Sequence, residues 1–548
     1  MGIKRSHQKF IVLLICGLLI FSVQASFACT AVYVGSDVSA DGSTILARTN
    51  DYPEIWASHI TVSPRVENTP GRFMDVSVDG KVKAELPATT YKYTATPYMD
   101  STRAASGNNK DAAVCTNEYG VAMTMSVSAF ANDDALKADP LIKDGIAEDT
   151  ATDLVICQSK TAREAVEVLC GIIDKYGNSE CNIAIIADSK EVWYVEMYSG
   201  HQYAAVKMPK DKVSVFGNEF NLEYLSDYDD NITSKELFSL PEKKHFAVHG
   251  KNNEINLFET YSGKQMTKDY SHMRTWIGHK ILAPSKYGGD YNIETMYPLC
   301  FAPDKNVSMK DVTQLVRNRF DGTQYSPDEA GRIDMRVIGT ETSLSAHIVQ
   351  VFSNLPAEMS CVSWISTGPE IYGVFIPVSN DCINISEPYG ANQAAKDKEV
   401  FDSENYPYYT FKELTTLCTG PENYKIYGDP VQAYWSKAES NMFSGMNKVL
   451  KEAKNINNNN ARAEYLTSYC NDMQTKAFED AKEILQKVVW EQNKNSNAFQ
   501  MKRNPETHEL TGEKVVIPPI NISLNASKYN DLPELPSSDG FSLNFLFS

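Results

Sequence analysis

Positive charge is the first thing this sequence is short of. Its 548 residues carry 52 lysines and arginines against 70 aspartates and glutamates, a formal net charge of −18. A surface so acidic argues against nucleic acid or anionic membrane as a partner and suits small soluble substrates. Histidine is scarce too, with nine residues. His245 and His249 have the i, i+4 spacing of helix-borne zinc ligands, but Phe246 stands where an H-E-x-x-H site carries its glutamate. No metal and no other cofactor is therefore expected. The eleven cysteines include no C-x-x-C pair, and several lie in apolar runs, where buried free thiols are the natural reading. No glycine-rich phosphate loop and no G-x-S-x-G elbow occurs. Beyond residue 28 no stretch reaches the roughly 18 apolar residues that a membrane-spanning helix needs, so the mature chain is expected to have no transmembrane segment.

The first 28 residues hold what the rest lacks. Lys4, Arg5 and Lys9 precede an apolar run over residues 10–23 and the ending Ser26-Phe27-Ala28. This is the three-part pattern of a secretory signal peptide. Cleavage between Ala28 and Cys29 would send the protein out of the cytoplasm, to the periplasm, the cell surface or the medium. It would also leave Cys29 as residue one, with a thiol and a free α-amine on one carbon skeleton. A lipid anchor is the competing fate for such a cysteine. That signal prefers leucine three positions before the cysteine and a small residue two before, where this chain has Ser26 and Phe27.

Amide hydrolysis by an N-terminal cysteine needs a thiolate, a base, a group that stabilises the thiolate, and donors for the oxyanion. The α-amine, with an ordinary pKa of about 7.7–8.0, is matched to a thiol near 8.5, so proton exchange between them is cheap near neutral pH. Residues 29–35 and 44–48 read as two short strands joined through Asp41-Gly42-Ser43. Such a hairpin returns Arg48 and Asp51 to the side of Cys29. Arg48 can then lower the thiol pKa, and Asp51 can orient the amine.

Further on, alternating strand candidates fill residues 60–96. A hairpin over residues 112–129 and a polar loop at 132–149 follow. Thr161 to Glu164 forms a capping-box sequence ahead of a helix that closes at Gly177. Strands are expected at residues 182–187, 192–197, 203–208 and 213–216. Residues 221–304 are polar, aromatic-rich and give no clear period. A helix at 308–320 and strands at 345–351, 362–365 and 371–377 complete a layered α+β body. The expected organisation is a leader (1–28), a catalytic domain (29–430), a helical extension (431–500) and an extended tail (501–548).

The run Cys29-Thr-Ala-Val-Tyr-Val-Gly, with Asp41-Gly-Ser-Thr and Ala47-Arg48-x-x-Asp51, resembles the dipeptidase A family of N-terminal-nucleophile cysteine peptidases. It is more distantly similar to the choloylglycine hydrolases and penicillin V acylases. Asn117-Glu118-x-Gly120-Val121-Ala122, Gly217-Asn218 and Arg274-x-Trp276 agree with the dipeptidase branch. The resemblance implies a four-layer αββα sandwich and hydrolysis of dipeptides. Carried over by position, it makes Cys29 nucleophile and, through its amine, base. Arg48 and Asp51 support it, Asn218 is an oxyanion donor, and Asn117 and Arg274 meet the substrate. The expected protein is an exported cysteine dipeptidase. An N-acyl amide hydrolase of the bile-salt or penicillin V type and a lipid-anchored binding protein remain alternatives, and homo-oligomerisation is left open.

Overall fold

Strands that are buried along their whole length need cover on both faces, and the first two strands are of that kind. Thr30–Val34 is buried throughout and Thr44–Asp51 at every residue but its first. They pair antiparallel as the sequence implied, with Thr30 opposite Thr49 and Ala31 opposite Arg48. In the turn between them Asp41 Oδ1 accepts from Ser43 N at 3.0 Å and Ser39 Oγ at 2.9 Å, and Gly42 takes a φ of 77° that favours glycine. The computed structural model describes residues 29–52, 55–98, 112–125, 127–263, 271–390, 401–495, 501–507 and 509–536. The expected leader and the apolar end at 541–547 lie outside the described residues.

Six antiparallel strands form the sheet that carries Cys29, in the order Val213–Phe216, Thr30–Val34, Thr44–Asp51, Ser343–Val351, Cys361–Thr367, Ile376–Ser379. A second sheet has eight, in the order Asn231–Thr233, Tyr203–Lys207, Val192–Met197, Asn182–Ala187, Ala122–Met125, Ala112–Asn117, Tyr93–Pro97, Thr61–Ser63. Side chains alternate across a strand, so each sheet feeds two cores. Ala31, Tyr33, Leu46 and Val349 of the first sheet share a core with Ile183, Ile185, Tyr194 and Val206 of the second. Their neighbours Val32, Ile45, Ile348 and Trp364 pack instead with helical residues such as Trp276, Val312, Trp435 and Met473. On the second sheet Ala184, Ile186, Trp193 and Val195 join residues of the helices Glu148–Ile156 and Ala162–Tyr176 in a third core. The chain is thus a mixed α and β protein with antiparallel sheets and a helical C-terminal region.

Thr161 caps its helix as expected, accepting from Glu164 N, and Ser308 opens Met309–Val316 with a reciprocal capping box. The sequence reading fails at residues 132–149, where it expects a loop. Asn132 caps a helix over Asp133–Ala138, and Ile146 and Ala147 are buried ahead of Glu148–Ile156. It also finds nothing in the stretch that contains His272–Leu282. Eight of that helix's eleven residues are buried, on all sides, so it shows no polar face and no helical period. A Cβ at Gly278 would collide with Val215, so only glycine lets this helix lie directly on the strand beside Cys29.

The C-terminal helices, Asp429–Ala453 and Asn459–Asn495, cover the outer face of the Cys29 sheet. Arg317 reaches Glu439 with two hydrogen bonds, at 2.9 and 2.5 Å, in a buried ion pair. The tail docks on the same helices. Tyr529, completely buried, donates to Asp480 Oδ2 at 2.7 Å, and Lys528 Nζ reaches Asp480 Oδ1 at 2.7 Å.

Candidate active site

Cys29 stands just before the first strand, on the side that faces the second sheet, and is buried. Its main-chain nitrogen donates to Asn218 Oδ1 at 3.0 Å. Asn218 follows the strand Val213–Phe216, which pairs with Thr30–Val34 on the edge away from Arg48. Its amide is fixed at both ends: Oδ1 also accepts from Arg274 Nη2 at 2.8 Å, and Nδ2 donates to Ser128 O at 2.7 Å. Arg274 Nη1 in turn donates to Cys29 O at 2.5 Å and Thr30 Oγ1 at 2.9 Å. One buried guanidinium therefore holds the carbonyl of Cys29 and the acceptor of its nitrogen together.

The thiol faces the opposite strand. Arg48 Nη1 lies 3.9 Å from Cys29 Sγ, and Sγ lies 3.9 Å from Asn50 Oδ1. Burial pushes the thiol pKa up. The Arg48 charge and the Asp51 main-chain N–H pull it down, while the charges of Glu148 and Asp51 push it further up. Burial wins, so the resting group is the neutral thiol. Arg48 pairs across the sheet with His347, whose Nε2 is 2.7 Å from Thr124 Oγ1 on the second sheet. Burial, followed by the Arg48 charge, holds His347 well below the ordinary histidine range, so it is uncharged.

Asp51 differs from expectation. Its carboxylate is held by Arg336 Nη2 at 2.8 Å and by the Thr342 hydroxyl, while the Cys29 nitrogen donates to Asn218 Oδ1. Arg336 and Thr342 also line a cavity of about 180 Å³ with Arg319, Asp328 and Glu341. What Asp51 offers the thiol is its N–H. The acceptor of the Cys29 nitrogen is Asn218, which the sequence reading casts only as an oxyanion donor. Arg274, expected at the substrate, holds Cys29 and Asn218 in place.

Asn117 is not joined to this cluster. Its Nδ2 donates to Ile156 O at 2.9 Å and Ser159 O at 2.7 Å, and its Oδ1 accepts from Tyr119 N and Val121 N. Every hydrogen-bonding position of the side chain is spent on main chain, and the residue staples a turn. Thr30, Asn50, His347 and Ser128 are the site residues the sequence reading misses. Thr30 and Asn50 lie within the quoted motif, but nothing local marks His347 or Ser128.

The comparison with known proteins decides the family. The profile of peptidase family C69 matches residues 28–437. The chain belongs to peptidase family C69. Among curated relatives, the "Probable dipeptidase B" of Streptococcus pyogenes serotype M1 is 30% identical over 504 residues, covering 88% of this chain and 97% of that protein. The "Probable dipeptidase B" of Lactococcus lactis subsp. lactis (strain IL1403) is 29% identical over 476 residues, 84% of this chain and 95% of that protein. A "Probable dipeptidase A" of Streptococcus pyogenes serotype M18 is 26% identical over 403 residues, 71% and 82%. Membership of C69 bears out the resemblance read from the Cys29 and Arg48-x-x-Asp51 motifs, and this chain is a peptidase. The family match begins one residue before Cys29 and includes Arg48, Asp51, Asn218, Arg274 and His347.

Proposed function

We propose that this C69 peptidase is an exported cysteine dipeptidase that uses the thiol of Cys29 as nucleophile and its α-amine, exposed by removal of the leader, as base. The observation that carries the reading is the convergence on Cys29. Its nitrogen is held by Asn218, its carbonyl by Arg274, and its thiol faces Arg48. The dipeptidase names of relatives that match nearly their full length support the substrate class.

In this mechanism Asn218 Oδ1 directs the amine lone pair toward Sγ. The thiol proton passes to the amine as sulfur attacks the scissile carbonyl, and Arg48 and the Asp51 N–H stabilise the developing thiolate. Asn218 Nδ2 has a second hydrogen and serves as an oxyanion donor. The protonated amine then returns its proton to the leaving amino acid, and water releases the acyl group. The sheets and helices fit the αββα N-terminal-nucleophile sandwich, with residues 29–430 as catalytic domain, 431–500 as helical extension and 501–548 as tail.

The test is intact-mass analysis of purified mature protein alongside assays on dipeptides and on N-acyl amides such as bile-salt conjugates and penicillin V. An unmodified Cys29 at the terminus, dipeptide cleavage, and a loss of roughly 1,000-fold or more in Cys29→Ala are expected, in keeping with removal of a covalent nucleophile. An acyl group on Cys29, or full activity of Cys29→Ala, overturns the reading. Preference for the acyl amides reassigns the substrate.

A further inference from the structure

Asn117 spends its whole side chain on main chain, and the Asn218 amide is held at both ends. Asn50 is different. It is 1% exposed, and among the described residues its amide has one hydrogen bond, a long one, in which the Cys29 thiol donates to Oδ1 at 3.9 Å. Its Nδ2 is buried without a partner. A dry amide group is costly to keep, so its acceptor is expected to come from outside the chain.

The strand pairing puts this group at the start of a polar row. Thr49 stands opposite Thr30, so Asn50 and Cys29 adjoin in the same register. On its other side Asn50 stands opposite Ser345, and Ser345 stands opposite Thr367. Directly opposed residues share one face of a sheet. Ser345 and His347 are two apart on one strand, and His347 reaches Thr124 on the second sheet, so the row looks toward that sheet. Ser345 Oγ and Thr367 Oγ1 are also buried without a partner. Unspent hydrogen-bonding capacity therefore begins beside the sulfur and runs across the inner face, in a core otherwise built from residues such as Ala31, Tyr33 and Leu46.

The distances suit one task in particular. When sulfur adds to a carbonyl, the oxyanion forms on the carbon bonded to Sγ. A donor 3.9 Å from the sulfur can stand about 2.9 Å from an oxyanion that is itself about 2.6 Å from that sulfur. A half-turn of the amide about its last torsion, which is soft, exchanges Oδ1 and Nδ2. While the thiol is neutral, its hydrogen faces Oδ1. Once that proton has left, Oδ1 faces an electron-rich sulfur, and the half-turn that brings Nδ2 forward is favoured.

We propose that the Asn50 side-chain amide is a second oxyanion donor, acting with Asn218 on the tetrahedral intermediate. This rests on the reading of Cys29 as nucleophile. The Sγ–C bond forms, the carbonyl π pair moves to oxygen, and Asn50 Nδ2 donates a hydrogen bond to it. As the pair returns, the C–N bond breaks and the leaving nitrogen takes the proton held by the α-amine. Asn50 fills one of the two positions that the Arg48-x-x-Asp51 motif leaves open, so the motif does not assign it.

The experiment uses the mature chain as wild type, Asn50→Leu and Asn50→Asp, with leucyl-alanine as substrate. Leucinal forms a hemithioacetal with the thiol, and the oxygen of that adduct stands where the oxyanion does. Leucinol forms none, and iodoacetamide alkylates sulfur without making an oxyanion. In Asn50→Leu kcat should fall about 100- to 1,000-fold with KM little changed. Leucinal should weaken by a similar factor, while leucinol binding and the alkylation rate stay near wild type. Asn50→Asp, close in size but without an amide hydrogen, should lose at least as much in kcat and in leucinal affinity. Turnover within about tenfold of wild type in both variants, a leucinal affinity that does not follow the rate, or alkylation in Asn50→Leu that slows as much as turnover overturns the oxyanion role and leaves the Cys29 reading intact. Turnover that survives Cys29→Ala overturns both. If a thermal melt shows that Asn50→Leu does not fold, an unchanged ratio of leucinal to leucinol affinity in Asn50→Asp is the overturning result.

Discussion

Arg274 Nη2 and the Cys29 nitrogen share one acceptor, Asn218 Oδ1, at 2.8 and 3.0 Å. The arginine thereby fixes the orientation of the amide that receives the Cys29 nitrogen, and through Nη1 it also holds the Cys29 carbonyl. Replacing Arg274 by Met removes the donor to the buried Cys29 carbonyl and one of the two donors at Asn218 Oδ1; a buried acceptor left unpaired costs about 1–3 kcal/mol. Under the proposed mechanism turnover should slow by roughly 100-fold or more while KM changes little, because the substitution loosens the proposed base, the Cys29 amine, rather than a substrate contact. Arg274→Lys should recover little, since an ammonium cannot reproduce the two-pronged geometry. Steady-state kinetics on a dipeptide, with a thermal melt to record stability, checks both.

Arg48 opposes burial at the thiol, so removing it has a definite sign. Arg48→Met should raise the Cys29 pKa further above its ordinary value, since the lowering charge is lost and the burial stays. A higher pKa means less thiolate at any given pH, so alkylation should be slower at neutral pH. The rate of alkylation by iodoacetamide, followed against pH in Arg48→Met and wild type, measures it. An unchanged alkylation profile would mean that Arg48 does not act on the sulfur.

Glu370 gives folding stability a pH dependence. Burial pushes its carboxyl up from 4.5 to about 8, with only partial relief from hydrogen bonds and Arg317. Between those values the folded chain keeps a proton that the unfolded chain releases. Folding stability therefore falls as pH rises, by about 1.4 kcal/mol per unit for one proton. Glu370→Gln should flatten the slope by that amount and leave a more stable protein at pH 8. Urea unfolding at a series of pH values between 5 and 8 reads the difference.

Much of the site was legible because it is local. Cys29, Arg48 and Asp51 fall within one hairpin, and antiparallel pairing alone brings the ends of its strands together. Asn218 and Arg274 came from resemblance, and their roles shifted once the partners were visible. Which atom accepts the Cys29 nitrogen depends on contacts spanning 189 residues, which no spacing rule reaches. The helix His272–Leu282 was invisible for a related reason: a segment buried on every side has no amphipathic period. At Asn117 the motif marks a turn in which the asparagine side chain is taken up by main chain.

The helices after residue 430 read as an appendage in sequence, yet they close the core of the Cys29 sheet. Arg317→Ala would leave Glu439 charged and buried. Breaking such a pair costs about 3–5 kcal/mol. A drop of that size in denaturant unfolding is expected, while the folded fraction turns over at the wild-type rate. The Arg317 guanidinium bonds to the Glu370 and Gly373 carbonyls and to Glu439, and among the described residues it has no hydrogen bond to the Cys29 cluster. A chain ending at residue 430 should fail to fold, since Trp435, Met442, Leu466 and Met473 would be missing from the core.

The base in the proposed mechanism does not exist until the bond before Cys29 is cut. An amide nitrogen can donate to Asn218 Oδ1, but its lone pair is delocalised into the carbonyl and cannot accept a proton near neutral pH. Activity should therefore track the amount of free Cys29 terminus rather than the amount of folded protein. A chain with residues 1–28 retained, and Ala28 replaced by Pro to block removal, should react with iodoacetamide slowly and hydrolyse no dipeptide. A chain started by protease cleavage directly before Cys29 should be fully active. Assaying both after mass confirmation of their termini decides the matter, and full turnover by the uncut chain would require a base other than the α-amine.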